Sequence, residues 1–262
     1  MSALPLIAVG SVKGAPGVST TALALATAWP GDRAAVVLEA DPSGGDTALR
    51  FDLPDSPSLV TLAASARRAG LSGRLLLEHA HQLPRLATVV PGPAAPEQAT
   101  AALGVLEELW GEAELDDVVA IADIGRTGLS PGPVTPLLAA ADVLLLVTRG
   151  AIEDLAHAEA AVPRLRSLTR RIVVVVVGGC AWSAAEVGQV LGADHCAPLP
   201  VDDETAGILR GAPRRRRILA RRGRPLPDAA RRLAEDISGL IPEQTNPTDK
   251  TALAAALGGE RT

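Results

Sequence analysis

The sequence predicts an α/β fold: a parallel, twisted sheet of about seven or eight strands with helices on both faces, stacked as a three-layer sandwich. Short strand-like runs alternate with Ala/Leu-rich helical stretches along most of the chain. Several of these runs are apolar throughout rather than at every second residue, the pattern of strands covered on both faces of a parallel sheet. Hydrophobic residues make up 47% of the chain and aromatics only 2%, so the core must be filled by Leu, Val, Ile and Ala.

Strands are expected at Leu4 to Val9, Ala34 to Glu39, Leu86 to Val90, Asp117 to Ala122, Asp142 to Thr148, Ile172 to Val177 and Cys196 to Leu199. Between them the periodicity predicts helices at Ser19 to Ala28, Leu59 to Arg68, Gly73 to His81, Pro96 to Leu109, Thr135 to Ala141, Glu153 to Leu168, Ala184 to Leu191, Asp203 to Arg210 and Pro227 to Leu240. Right-handed crossovers then gather the functional loops at the C-terminal ends of the strands. At 262 residues the chain fits one large domain, expected over residues 1–241. A polar, Pro-bearing tail over 242–262 follows it.

The bulk properties exclude some functions. The longest apolar run, Ile172 to Val177, is strand-length and far short of the ~20 residues that cross a bilayer. A net charge of −5 argues against coating nucleic acid with the whole surface. Cys180 and Cys196 have no CxxC spacing and, with no secretory leader in view, read as reduced thiols of a cytoplasmic protein. His79, His81, His157 and His195 are scattered without metal-ligand spacing.

The first strand feeds the segment Lys13-Gly14-Ala15-Pro16-Gly17-Val18-Ser19-Thr20, which opens the first helix. A Gly-rich turn between a strand and a helix N-terminus converges backbone N–H groups on one point, a general way of holding phosphate. Gly14 and Gly17 permit the turn, and the Ser19 hydroxyl is placed to ligate Mg²⁺. Lysine occurs only at positions 13 and 250, so one of two lysines lies in this loop.

The loop resembles the deviant Walker A motif of the MinD/ParA family of P-loop ATPases, K-G-G-x-G-K-[ST]-T, with Lys13 at the signature lysine. The resemblance implies ATP (or ADP) with Mg²⁺ as cofactors, held by Gly14, Ala15, Pro16, Gly17, Val18, Ser19 and Thr20, and a homodimer in which Lys13 reaches the partner's phosphates. Val18 departs from it, standing where the family carries the lysine that neutralises the β/γ-phosphates. A valine has neither charge nor donor, so phosphate affinity should fall and transition-state stabilisation should fall further.

Other segments carry the same resemblance. Glu39-Ala40-Asp41 is similar to the family's D-x-D after the second strand, which gives Asp41 the work of ordering Mg²⁺ and the attacking water, with Glu39 in place of the first acid. The run Val118 to Asp123 is similar to a Walker B strand, with Asp123 near Mg²⁺, although Ile124-Gly125-Arg126 follows where relatives show D-x-P. Ser19, Asp41 and Asp123 are thus the implied metal ligands, and Lys13, Asp41 and Asp123 the implied catalytic set. The adenine-reading Asn of many relatives is missing from Val177-Gly178-Gly179-Cys180, so base recognition is expected to come from backbone groups or to be weak. The altered loop is similar to that of the atypical TadZ/CpaE branch, whose members help place pilus or secretion machinery.

Arg214, Arg215, Arg216, Arg217, Arg221 and Arg222 concentrate positive charge in an acidic chain. Such a patch suits DNA phosphates, anionic lipid or a protein partner, and equally a solvated surface. Three functional readings follow: a nucleotide-linked positioning protein that recruits a partner at a membrane or nucleoid site, a partitioning ATPase gripping DNA through the arginines, and a scaffold without turnover.

Overall fold

A computed structural model describes residues 4–14, 17–113, 117–127, 132–212 and 225–241. In chain order the elements are β1 (Leu6–Ser11), α1 (Val18–Thr27), β2 (Ala34–Glu39), α2 (Thr47–Phe51), α3 (Leu59–Ala69), α4 (Gly73–Glu78), β3 (His81–Gln82), β4 (Thr88–Val90), α5 (Pro96–Trp110), β5 (Val118–Arg126), α6 (Thr135–Ala140), β6 (Val143–Gly150), α7 (Ile152–Leu168), β7 (Ile172–Cys180), α8 (Ala184–Leu191), β8 (His195–Leu199), α9 (Asp203–Leu209) and α10 (Pro225–Ser238). They build one eight-stranded sheet in the order β3-β4-β2-β5-β1-β6-β7-β8. All neighbouring pairs are parallel except β3 with β4.

The continuous apolarity of the strands is explained by two cores. In β1, Leu6 and Ala8 join a cluster with residues of α3, α5, α6, α7 and α8, whereas Ile7 and Val9 join a second cluster with α1, α9 and α10. Each β1 side chain is therefore buried whichever way it points. On α10 the buried residues Leu226, Ala229, Ala230, Leu233, Ala234 and Ile237 follow helical spacing and form one apolar stripe. The alanines of α1 let that helix lie close beneath it, and Trp110 is the one large ring fully buried among the described residues. No described helix is long and apolar enough to cross a membrane.

The predicted elements are found, with instructive differences. The helix expected at Gly73 to His81 ends at Glu78, and His81 instead pairs with Val89 in the short antiparallel edge β3. Helix α2 follows a Pro-Ser-Gly-Gly-Asp stretch whose composition reads as turn, and it has only five residues. Strands β5, β6 and β7 run past their apolar segments, to Arg126, Gly150 and Cys180, because their ladders continue through polar and glycine residues. The tail over 242–262, the arginines from 214 to 222, and Ala15 and Pro16 lie outside the described residues.

Candidate functional site

The C-terminal ends of β1, β2 and β5 meet at one cleft of about 520 Å³. It is lined by Gly14, Gly17, Val18, Ser19 and Thr20 of the loop and the first helix, and by Asp41, Gly125, Arg50, Arg126 and Arg210 from other parts of the chain. The loop is shaped by two glycines with positive φ, +59° at Gly14 and +119° at Gly17, a conformation that L side chains rarely adopt. Just before the loop, the end of β1 is tied to the residue after β5, where Thr127 N–H donates to Ser11 O at 2.8 Å.

Asp123 sits centrally. It pairs in register with Val9 of β1 and Glu39 of β2, and is only 4% exposed. Burial raises its pKa from 3.8 to about 6; hydrogen bonds from the Ser19 side chain and the Gly125 N–H oppose that rise, while the nearby Glu39 and Asp41 charges add to it. Asp41 is held beside it by an Asx turn, its Oδ1 accepting from Ser43 N–H at 2.8 Å. Its Oδ2 lies so close to Gly125 that a Cβ there would come within 2.0 Å. Ser19, Asp41 and Asp123 therefore converge, as expected from their order in the chain. One hydroxyl and two carboxylates are the hard oxygen ligands that Mg²⁺ takes when phosphate and water complete its shell, so the donor set fits that ion.

Glu39 does something else. Its Oε1 accepts from Asp46 N–H at 2.9 Å, Thr47 N–H at 3.1 Å and the Thr47 hydroxyl at 2.8 Å, and its Oε2 from Gly92 N–H at 2.9 Å. At 6% exposure it knits the loop after β2 to the loop after β4. The added methylene relative to aspartate takes the carboxylate past the strand end into this bracket.

Val18, the first residue of α1, is 7% exposed and packs in the core cluster that holds Ile7 and Val9. Lys13 does not line the cleft. Its ammonium is 3.1 Å from His157 Nε2 on α7, beside Thr148 and Asp154. The other histidines have partners elsewhere: His79 meets Thr61, His81 meets Pro57 O, and His195 lies 3.2 Å from Asp236. No cluster of three or more metal-ligating His, Cys, Asp or Glu side chains occurs among the described residues. Sequence reasoning missed the three arginines of the cleft, Arg50, Arg126 and Arg210. Two had a local signal: Arg126 stands three residues after the acid that ends the Walker B-like run, and Arg210 opens the arginine-rich stretch that runs to Arg224.

No family model and no curated protein match the sequence. Solved structures do match the fold. The cell-division ATPase MinD of Pyrococcus furiosus superposes with a TM-score of 0.63 at 20% identity, over 90% of this chain and 99% of that one. MinD of Pyrococcus horikoshii, solved with Mg-ADP, gives 0.63 at 18%, over 90% and 97%. A ParA-family ATPase of Chlorobium tepidum gives 0.61 at 17%, over 89% and 99%. This chain thus has the fold of the MinD and ParA-family ATPases, with a glycine-bearing loop joining its central strand to its first helix.

Proposed function

We propose that this chain is a nucleotide-dependent positioning protein of MinD/ParA type: Mg²⁺-nucleotide in the cleft links two copies, and the closed dimer recruits a protein partner of a larger assembly, such as a pilus or secretion apparatus or the division machinery. The observation that carries the reading is a division of labour within one loop. Ser19 and Asp41 line the cleft with the buried Asp123 bonded to Ser19, while Lys13 of the same loop is held outside it on α7. A cation that does not serve its own pocket is available to a second one. The Mg-ADP found in the Pyrococcus horikoshii MinD structure supports the choice of nucleotide.

In bound nucleotide, the loop amides and the α1 N-terminus would hold phosphate oxygens, and Ser19 and Asp123 would orient Mg²⁺, which supplies charge neutralisation at the phosphates. Asp41 would position water beside Asp123. With valine at position 18 the loop contributes no lysine where charge develops, so the reading is of binding and dimerisation with slow or absent turnover.

Sedimentation of the full chain with and without ATP and Mg²⁺ tests this. The wild type should shift to dimer only with nucleotide, and Lys13→Ala should bind nucleotide yet stay monomeric. Equal dimer content in both proteins removes the role given to Lys13.

A further inference from the structure

The loop has lost its lysine, but the cleft has not lost positive charge. Arg50 of α2, Arg126 at the end of β5 and Arg210 after α9 come from three separate parts of the chain to line the same cleft as the loop. Arg126 touches the loop itself: a Cβ added to Gly14 would stand 2.8 Å from its Nη2, so the guanidinium rests against the Gly14 backbone. Among the described residues no carboxylate lies within ion-pairing distance of Arg126, whereas Arg50 is committed to Asp46 at 2.5 Å.

From this we infer that Arg126 replaces the missing lysine as the principal phosphate-binding cation of the cleft, reaching over the loop from β5 where a lysine at position 18 would reach up from α1. The inference rests on the nucleotide reading above and names the part of the ligand that this chain's own residues grip, a di- or triphosphate group.

Three physical points support the exchange. A guanidinium offers paired N–H donors that match two phosphate oxygens, which suits it to hold phosphate from a distance better than a single ammonium. Gly14 leaves room for it, since any side chain there would displace the head group. The substitution also frees position 18 to serve the core, where Val18 is buried among Ile7, Val9 and Leu23. Arg210 and Arg50 line the same cleft, where their charge raises the local potential.

Calorimetric titration of the full-length chain separates the possibilities, with two probes: Mg²⁺-ATP, and Mg²⁺-tripolyphosphate, which has no base. Four proteins are compared: wild type, Arg126→Ala, Val18→Lys and the double variant. Arg126 is exposed, so its removal leaves the fold intact, which far-UV circular dichroism checks. Arg126→Ala should weaken both probes about tenfold or more, as loss of a charge-assisted phosphate contact does. Val18→Lys should restore most of that loss in the Arg126→Ala background and add less to the wild type, because two cations then compete for the same oxygens. Should the lysine variants not fold, Arg126→Lys replaces them, and retention of more affinity than Arg126→Ala supports the same role. Wild-type binding left within about twofold by Arg126→Ala for both probes overturns the inference alone. A wild type that binds neither probe overturns the nucleotide reading and the inference together.

Discussion

The Lys13 ammonium donates to Nε2 of His157 across 3.1 Å, joining the phosphate-type loop to α7 outside the cleft. Lysine has donors only, so the imidazole must accept at Nε2 and carry its own proton on Nδ1. The contact is exposed, and exposed polar pairs contribute about 1 kcal/mol or less. His157→Ala should therefore lower the melting temperature by less than about 3 °C while leaving nucleotide-dependent dimerisation in place. A larger loss in a thermal melt would make the pair a structural tie rather than a resting place for the lysine.

Glu39 is the most heavily used carboxylate of the site region, with donors at both oxygens from the segments around Thr47 and Gly92. Glu39→Gln keeps the shape but sets an amide N–H₂ against N–H donors at one end. Denaturant unfolding should show a loss of about 2–4 kcal/mol, the cost of leaving buried charged-group hydrogen bonds unmade. Asp41→Asn, at a partly buried position whose carboxylate accepts the Ser43 backbone N–H, should cost less than about 1 kcal/mol.

Burial sets the behaviour of Asp123 with pH. Its folded pKa, about 6, lies above the ordinary 3.8, so the folded chain binds this proton more tightly than the unfolded one. The resulting contribution to stability is complete below the ordinary value and is lost as pH rises through about 6. Asp123→Asn cannot ionise, and in metal-free buffer it should be more stable than the wild type by about 3 kcal/mol above neutrality, with the gap closing as pH falls to about 4. The same variant should lose Mg²⁺-dependent nucleotide binding, a gain in stability at the expense of the site. A gap that does not change with pH would contradict the burial of this carboxylate.

Two glycine-to-alanine changes should have opposite signs. Gly125 has φ +61°, and a Cβ there would meet Asp41 Oδ2 at 2.0 Å, so Gly125→Ala should destabilise by at least about 1–2 kcal/mol and push Asp41 out of place. Gly104 lies in α5 with nothing within 4 Å of an added Cβ, and Gly104→Ala should stabilise by about 0.4–1 kcal/mol. Chemical denaturation of the two variants beside the wild type checks both.

The layers were legible in the sequence because continuously apolar strands such as Val173 to Val176 and the stripe on α10 leave few other solutions. The convergence of Ser19, Asp41 and Asp123 was legible too, since each stands at or after the C-terminal end of an apolar strand segment, on the same side of a parallel sheet. Edge strand β3 was not, because two residues, His81 and Gln82, carry no periodicity. The role of Glu39 was hidden for another reason: its partners are backbone N–H groups of residues 46, 47 and 92, which no side-chain pattern reveals. The arginines of the cleft escaped notice because Arg50, Arg126 and Arg210 are distant in sequence and are brought together only by the crossovers.

Crystals of the full chain grown with millimolar ATP and Mg²⁺ give the most direct test of the central claim, that this altered loop still holds a nucleotide. The expected result is phosphate density over Gly14 and Gly17 to Thr20, with Mg²⁺ beside Ser19 and Asp123. A well-ordered cleft without nucleotide under those conditions would contradict it.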